Sequence, residues 1–329
     1  MTVAVTCGDP SGIGPEVVQK AWISLKKSPS NVFFWIGDPS HLPNSGIPWR
    51  SIDHPDESTE IFGNALPVLI HRFANPLKVG QHQPENAPDV ISVIKKAVNL
   101  VQTNKARALC TSPINKNVLN SGANFLYSGH TEFLGNLDGI DNPVMMMACS
   151  KLKVVPATTH IPLNDVTNRL SIKGLTKAIK ITNAAMIEKF DILNPVIAVS
   201  GLNPHAGENG QLGIEEEKII IPAIRNLQET MNIFGPLSAD SMFHPAARAK
   251  YDVAITMYHD QALIPLKTIG FEEGVNITLG LSFIRTSPDH GTAFDIAGQN
   301  VANATSTVNA IKMATLLTRK QYNGKASPA

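Results

Sequence analysis

The sequence predicts an α/β protein of two lobes with a largely parallel sheet. Three observations carry this. Short β-rich apolar runs alternate with longer segments of helical period, glycine- and proline-rich turns fall at the ends of those runs, and 329 residues exceed the usual size of one compact unit. Hydrophobic residues make up 43% and charged residues 17% of the chain, an ordinary globular composition that gives no reason to expect disorder.

Val3 to Thr6 reads as the first strand. Pro15, with Glu16 in the first turn, opens a helix carrying Val17, Val18 and Trp22, and Val32 to Ile36 is the next strand. From Pro88 to Val101 the apolar residues Val90, Ile91, Ile94, Ala97 and Val101 recur at helical spacing, and this helix feeds a strand at Ala106 to Cys110. Further strands are expected at Val144 to Ala148, Val154 to Thr158, Val196 to Ser200, Val253 to Met257 and Val275 to Leu279, with helices near Leu175 to Lys189 and Glu215 to Met231. A boundary near Tyr127 and a return near Gly274 give a split lobe, residues 1–126 with 275–329, and a continuous central lobe, residues 127–274. The polar tail from Tyr322 to Ala329 is expected to fray.

Twenty-eight basic residues against 27 acidic ones, with no basic run longer than a pair, leave no electrostatic footprint for nucleic acid or an anionic membrane. Any anion must be recognised locally. The three cysteines, Cys7, Cys110 and Cys149, are scattered and odd in number, which argues against a disulfide framework or a cysteine zinc motif. The N-terminus lacks the charged and apolar regions of a signal peptide. The most apolar stretch, Pro143 to Cys149, falls far short of the roughly 20 residues that cross a bilayer. The expectation is a cytoplasmic protein.

Four constellations carry chemical content. Gly8-Asp9-Pro10-Ser11-Gly12-Ile13-Gly14-Pro15-Glu16 is a glycine-rich turn between a strand and a helix, open to reading as a ligand-facing loop or a plain tight turn. It is neither the dinucleotide fingerprint nor a Walker loop, and the chain has neither elsewhere. His160, His205 and His259 each follow a strand. Three neutral imidazoles could hold a catalytic ion with an open position, but by spacing alone three unrelated histidines remain the simpler reading. Lys267, Asn276 and Arg285 lie close along the chain and offer the point charge, neutral donor and bidentate guanidinium that suit a phosphate monoester; solvated surface charge is the plainer alternative. Asp289 to Gly298 is a polar, small-residue segment before a helix.

Taken together, Gly8-Asp9 with Gly12-Ile13-Gly14-Pro15-Glu16, and His290-Gly291-Thr292-Ala293 with Asp295-Ile296-Ala297-Gly298, resemble the cofactor-facing segments of the isopropylmalate and isocitrate dehydrogenase superfamily. That superfamily binds NAD on a two-lobed α/β/α, non-Rossmann fold. Within it, Ser128-Gly129-His130-Thr131-Glu132, Ala157-Thr158-Thr159-His160, Gly201 to Glu208, Met257 to Gln261 and Gly274 to Gly280 resemble the 4-hydroxythreonine-4-phosphate dehydrogenase family, in order over essentially the whole chain. The resemblance departs at Cys7, before Gly8-Asp9, and at Ser112, where glycine is expected; Thr111, Ser112 and Lys116 receive no role.

This resemblance implies that His160, His205 and His259 bind a divalent ion, zinc first with magnesium or cobalt as alternatives, in active sites shared across a homodimer. It implies Asp240 and Asp260 as supports of that site, and His130, Thr131, Lys267, Asn276 and Arg285 as contacts to a small phosphorylated hydroxy amino acid. The cofactor, NAD or NADP, would meet Gly12, Ile13, Gly14, His290, Gly291, Thr292 and Asp295. The split lobe becomes the cofactor side and the central lobe the metal and dimer side. The implied reaction is oxidation of 4-phosphooxy-L-threonine at C3 followed by decarboxylation. The rivals are a paralogous dehydrogenase of a phosphorylated threonate or erythronate, or of a dihydrodiol dicarboxylate, and a non-catalytic binding protein that keeps the fold.

Overall fold

A computed structural model describes residues 2–325. The chain is α/β with mostly parallel strands and divides into two compact units, one of Met1–Pro143 with Val275–Arg319, the other built on Val144–Gly274. Strands β1 (Val3–Thr6), β2 (Phe33–Gly37), β3 (Trp49–Ile52), β4 (Leu66–Ile70) and β5 (Ala108–Cys110) belong to the first unit. The second holds β6 (Val144–Cys149), β7 (Leu152–Pro156), β8 (Ile197–Ser200), β9 (Ile233–Leu237) and β10 (Val253–Thr256), and β11 (Val275–Leu279) and β12 (Ile284–Pro288) return to the first. Among the described residues no helix is long and apolar enough to cross a membrane.

In the first unit the strand order is β3-β4-β2-β1-β5-β12-β11, with only β11 antiparallel, to β12. Every residue of β1 and β2 is buried, as parallel strands covered on both faces require. Trp22, Phe33, Phe34 and Trp35 fill the core, and the Trp22 indole donates to Phe62 O at 2.8 Å. The helix Ala87–Gln102, with Pro88 in its first turn, lays Val90, Ile94, Ala97 and Val101 inward against β1 and β5. β1 lies between β2 and β5, so the loops after β1 and β5 part to opposite sides, the crevice where such sheets take ligands.

The boundary expected at 126/127 falls at Pro143/Val144. Tyr127 stacks on Phe125 and Phe133, with ring centroids 5.2 and 5.1 Å away, which ties the segment to the first unit. Asp138, ending the helix His130–Asp138, accepts from Ser282 N and Oγ at 2.6 Å. The C-terminal helix runs Thr305–Lys325, so the expected frayed tail is helical at its start, and residues 326–329 lie outside the described residues.

The second unit orders its strands β6-β7-β10-β8-β9, parallel except for the hairpin of β6 and β7. The helix His259–Gly270 packs on β6, β7 and β10, and its Ala262 and Leu266 join Met147, Val154, Ala198, Met242 and Ala254 in the core. Ser171 Oγ caps the helix Ile172–Glu188 by accepting from Gly174 N at 3.1 Å. The helix expected over Glu215 to Met231 shrinks to Ile221–Arg225, preceded by a wider turn at Glu216–Ile220. Pro222 has no N–H for the i−4 carbonyl, so the regular ladder breaks there.

Candidate active-site residues

The first group hangs on β11 and β12. Their antiparallel register sets Thr278 opposite Arg285 and Asn276 opposite Ser287, while β12 runs beside β5 so that Arg285 reaches Thr111, just past that strand. Arg285 is 2% exposed. Its Nε and Nη2 donate to Thr111 Oγ1 at 3.2 and 2.7 Å, and its Nη1 donates to Thr278 Oγ1 at 2.9 Å and Asn276 Oδ1 at 3.3 Å. Those bonds use four of the five N–H donors of a guanidinium, so the bidentate grip expected from the sequence is reduced to one free N–H. Every partner is neutral, and among the described residues no carboxylate pairs with Arg285. Burial lowers its pKa to about 10, which leaves it charged at neutral pH. Glu132 acts on it only through space, opposing the loss of its proton; a buried cation whose hydrogen-bond partners are all neutral is a strong attractor for an anion.

His130 opens the helix His130–Asp138 after Gly129, and its Nε2 is buried without a hydrogen-bond partner. Burial, and then the charge of Arg285, hold its imidazole well below the usual histidine range. Thr131 follows it, half-buried. Lys267 belongs to the second unit, on the helix His259–Gly270, with Nζ 5.7 Å from the Phe271 ring centroid. Sequence reading gave Thr111 and Thr278 no role, although both hold the guanidinium; the position of Thr111 directly after a strand was the available signal.

The second group lies at the ends of β7 and β10. These strands are parallel neighbours, and Thr158 fastens the segments that follow them, donating Oγ1 to Met257 O at 2.7 Å. His160 and His259 thereby line one cavity of about 270 Å³, with Thr158, Ile161, Tyr258 and Asp260. The two imidazole centroids are 5.8 Å apart. Asp260 Oδ1 lies 2.6 Å from His259 Nδ1, and a carboxylate on one ring nitrogen is the usual arrangement behind a metal-binding histidine.

His205 does not line this cavity, and among the described residues no three His, Cys, Asp or Glu side chains form a group that could hold a metal ion. The expected trio therefore does not close within one chain; two imidazoles meet and the third stands apart on the exposed loop after β8. Asp240, expected as a support, is exposed on the turn after β9 with no imidazole partner among the described residues. The His205 loop is itself strained: His205, Ala206 and Glu208 have φ of 52, 51 and 43°. Left-handed backbone at non-glycine residues costs on the order of 1–3 kcal/mol each. Buried Glu216 offsets this, accepting from Leu202 N, Asn203 N and Asn203 Nδ2 at 2.7, 2.8 and 2.9 Å. Gly207 is required beside it, since a Cβ there would sit 2.7 Å from Glu216 Oε2. The sequence reading missed Glu216, which looked like one more charge on a helix.

The segments expected to face a cofactor meet in the first unit. Ile13 N donates to Thr292 O at 2.9 Å, and Ile13 and Val17 pack with Ala293, Ile296 and Ala302. Gly12 and Gly14 are buried, and a Cβ on either would strike Thr292 O at 2.4 Å or Cys7 O at 2.6 Å. Both glycines thus allow close chain-to-chain approach. Gly291 and Asp295 are exposed, with open space at the Cβ position of Gly291, while His290 Nε2 lies 3.3 Å from Thr307 Oγ1. Asp9, given no role from the sequence, is buried with Oδ1 accepting from Ser11 N and Oδ2 unpartnered; burial raises its pKa to about 6.

Comparison with known proteins places this geometry in a family. The family described as pyridoxal phosphate biosynthetic protein PdxA matches residues 32–314. A 4-hydroxythreonine-4-phosphate dehydrogenase of Ruegeria sp. (strain TM1040) is 51% identical over 313 residues, covering 95% of each chain. The crystal structure of a 4-hydroxythreonine-4-phosphate dehydrogenase from Klebsiella pneumoniae superposes with a TM-score of 0.86 at 34% identity, covering 96% of this chain and 99% of that one. A terephthalate 1,2-cis-dihydrodiol dehydrogenase from Burkholderia xenovorans LB400 is more distant, with a TM-score of 0.65, 25% identity and coverage of 96% and 98%. On the breadth of the first two matches, the chain belongs to the family of the pyridoxal phosphate biosynthetic protein PdxA.

Proposed function

We propose that this chain oxidises the C3 hydroxyl of 4-phosphooxy-L-threonine with NAD, giving 2-amino-3-oxo-4-phosphooxybutanoate, which loses carbon dioxide to form 3-amino-2-oxopropyl phosphate. The observation that carries the reading is buried Arg285, a charge whose hydrogen-bond partners are all neutral and which acts on the imidazole of His130, whose Nε2 is unpartnered among the described residues. A phosphorylated substrate supplies a negative hydrogen-bond partner for it. Thr111 Oγ1 accepts two bonds from Arg285, so its own proton points elsewhere and is available to a phosphate oxygen. His130 stays neutral through neutral pH and can donate to or accept from the substrate without adding charge.

For a divalent ion the fit is partial within one chain: His160 and His259 would hold it, Asp260 would orient His259, and His205 would complete the set across a homodimer. For the nicotinamide cofactor, exposed Gly291 and Asp295 offer open backbone and a carboxylate for ribose hydroxyls. When bound, the ion supplies Lewis acidity at the reacting alcohol and the nicotinamide supplies the hydride acceptor. The dihydrodiol reading is weaker, since that relative shares 25% identity against 51% for the 4-hydroxythreonine-4-phosphate dehydrogenase of Ruegeria. A substrate panel following NADH formation tests the proposal. Turnover of 4-phosphooxy-L-threonine well above phosphorylated threonate and erythronate supports it, and preference for either of those, or no NADH from any, refutes it.

A further inference from the structure

The loops after β1 and β5 lie at the C-terminal ends of the strands; at the N-terminal ends the first unit carries a second concentration of positive charge. Arg107, just before β5, and Arg319, on the helix Thr305–Lys325, line one cavity of about 190 Å³ at the start of β1. Thr2 and Ser30 add hydroxyls to its wall, and Val3 and Pro29 make one side apolar. No acidic side chain lines it, and among the described residues neither guanidinium has an ion pair.

The chain has 27 acidic residues against 28 basic ones, so counter-charges are plentiful elsewhere. Arg107 and Arg319 come from separate elements and both line this one cavity at an exposed edge, so the cavity mouth carries a local excess of positive charge that favours an anion. The hydroxyls of Thr315 and Thr318 are spent on Ile311 O and Ala314 O, at 3.1 and 2.9 Å, so recognition falls to the two arginines with Thr2 and Ser30. Paired guanidiniums match the oxygens of a phosphate, and the wall of Val3 and Pro29 suits a small apolar body attached to it.

We infer that this cavity is a second site for a small phosphate monoester, separate from the Arg285 group and not part of the proposed reaction. Calorimetric titration of the full chain with phenyl phosphate and with inorganic phosphate tests it. Wild type is expected to show two classes of phenyl phosphate site. The double variant Arg107→Ala, Arg319→Ala should weaken one class by about thirtyfold, roughly 2 kcal/mol, while leaving dehydrogenase turnover unchanged. Arg285→Ala should remove the other class, and a failure there bears on the proposed function alone. In the class lost by the double variant, phenyl phosphate should bind about fivefold more tightly than inorganic phosphate, through its apolar contact. A double variant that titrates as wild type overturns the site, and equal affinity for both ligands overturns the assignment to a monoester. Arg107→Glu at an exposed position, with folding followed by circular dichroism, repeats the test should the double variant be unstable.

Discussion

In the first unit the anion group is carried by strands: Asn276, Thr278 and Arg285 face one another across β11 and β12, and Thr111 closes the set from the end of β5. All of its bonds are made within the chain, in buried surroundings. In the second unit the imidazoles are carried by loops and a helix start, His160 with φ of 54° and His205 with φ of 52°, and only two of the three share a cavity. Ladder register holds the first group ready before any ligand arrives. The second is held by point fastenings, Asp260 and Glu216, and the proposed function completes it from a second copy. A preformed cation and a pair of imidazoles awaiting a third therefore call for different experiments.

The largest effect is expected at the preformed end. Arg285→Ala should lower kcat/KM for the phosphorylated substrate about a thousandfold, close to 4 kcal/mol, with little change in the KM for NAD. Equal effects on both KM values would remove Arg285 from the substrate group. In the unfinished group, Glu216→Ala frees three donors around His205 and should cost about 3 kcal/mol of local stability, read as faster hydrogen exchange at residues 202–208 and lower metal content. Unchanged exchange there would show that the strained loop holds itself.

Asp9 sharpens the contrast through pH. Its carboxyl is raised from 3.8 to about 6 in the fold, so the native state binds the proton more tightly and stability falls as pH rises through that window. The loss amounts to at most about 3 kcal/mol at 1.36 kcal/mol per unit. Denaturant melts from pH 4 to 7 should show this decline in wild type and lose it in Asp9→Asn; parallel curves would relocate the effect. Smallest is Asp260→Ala, which should weaken zinc about tenfold, toward the low end for a residue behind a metal ligand. Unaltered affinity in a competition titration would leave His259 self-oriented.

The sequence revealed the buried strands and concealed the polar ones. β1, β2, β8, β10 and β11 follow from apolar runs to within a residue or two, because strands covered on both faces must be apolar. β3 is mostly exposed, β4 contains Pro67, β9 carries Gly235 and Pro236, and β12 reads Ile-Arg-Thr-Ser-Pro, so none shows that signal. β12 was missed because Arg285 and Thr286 spend their polar atoms on Thr111, on Asn276 and Thr278 of β11 and on Ala310 of the C-terminal helix, so a buried strand shows no apolar run. Likewise the glycines of the first loop were legible as glycines, but only coordinates could say that Thr292 O and Cys7 O stand where a Cβ on Gly12 or Gly14 would go. The resemblance grouped His160, His205 and His259 across a homodimer; their spacing alone could not say which of them would share a cavity within one chain.

The antiparallel return of β12 has a further consequence for what the gene can tolerate. Adjacent residues of a strand point to opposite faces, so deleting one residue from the short connection Gly280–Phe283 could shift the register by one. Thr286 now occupies the reverse side, where its hydroxyl donates to Ala310 O in the C-terminal helix. A frame-preserving loss of one codon in that connection would thus turn the guanidinium toward a helix and a methyl-bearing side chain toward the ligand. The strand would keep its hydrogen-bonded neighbours while the anion group vanished.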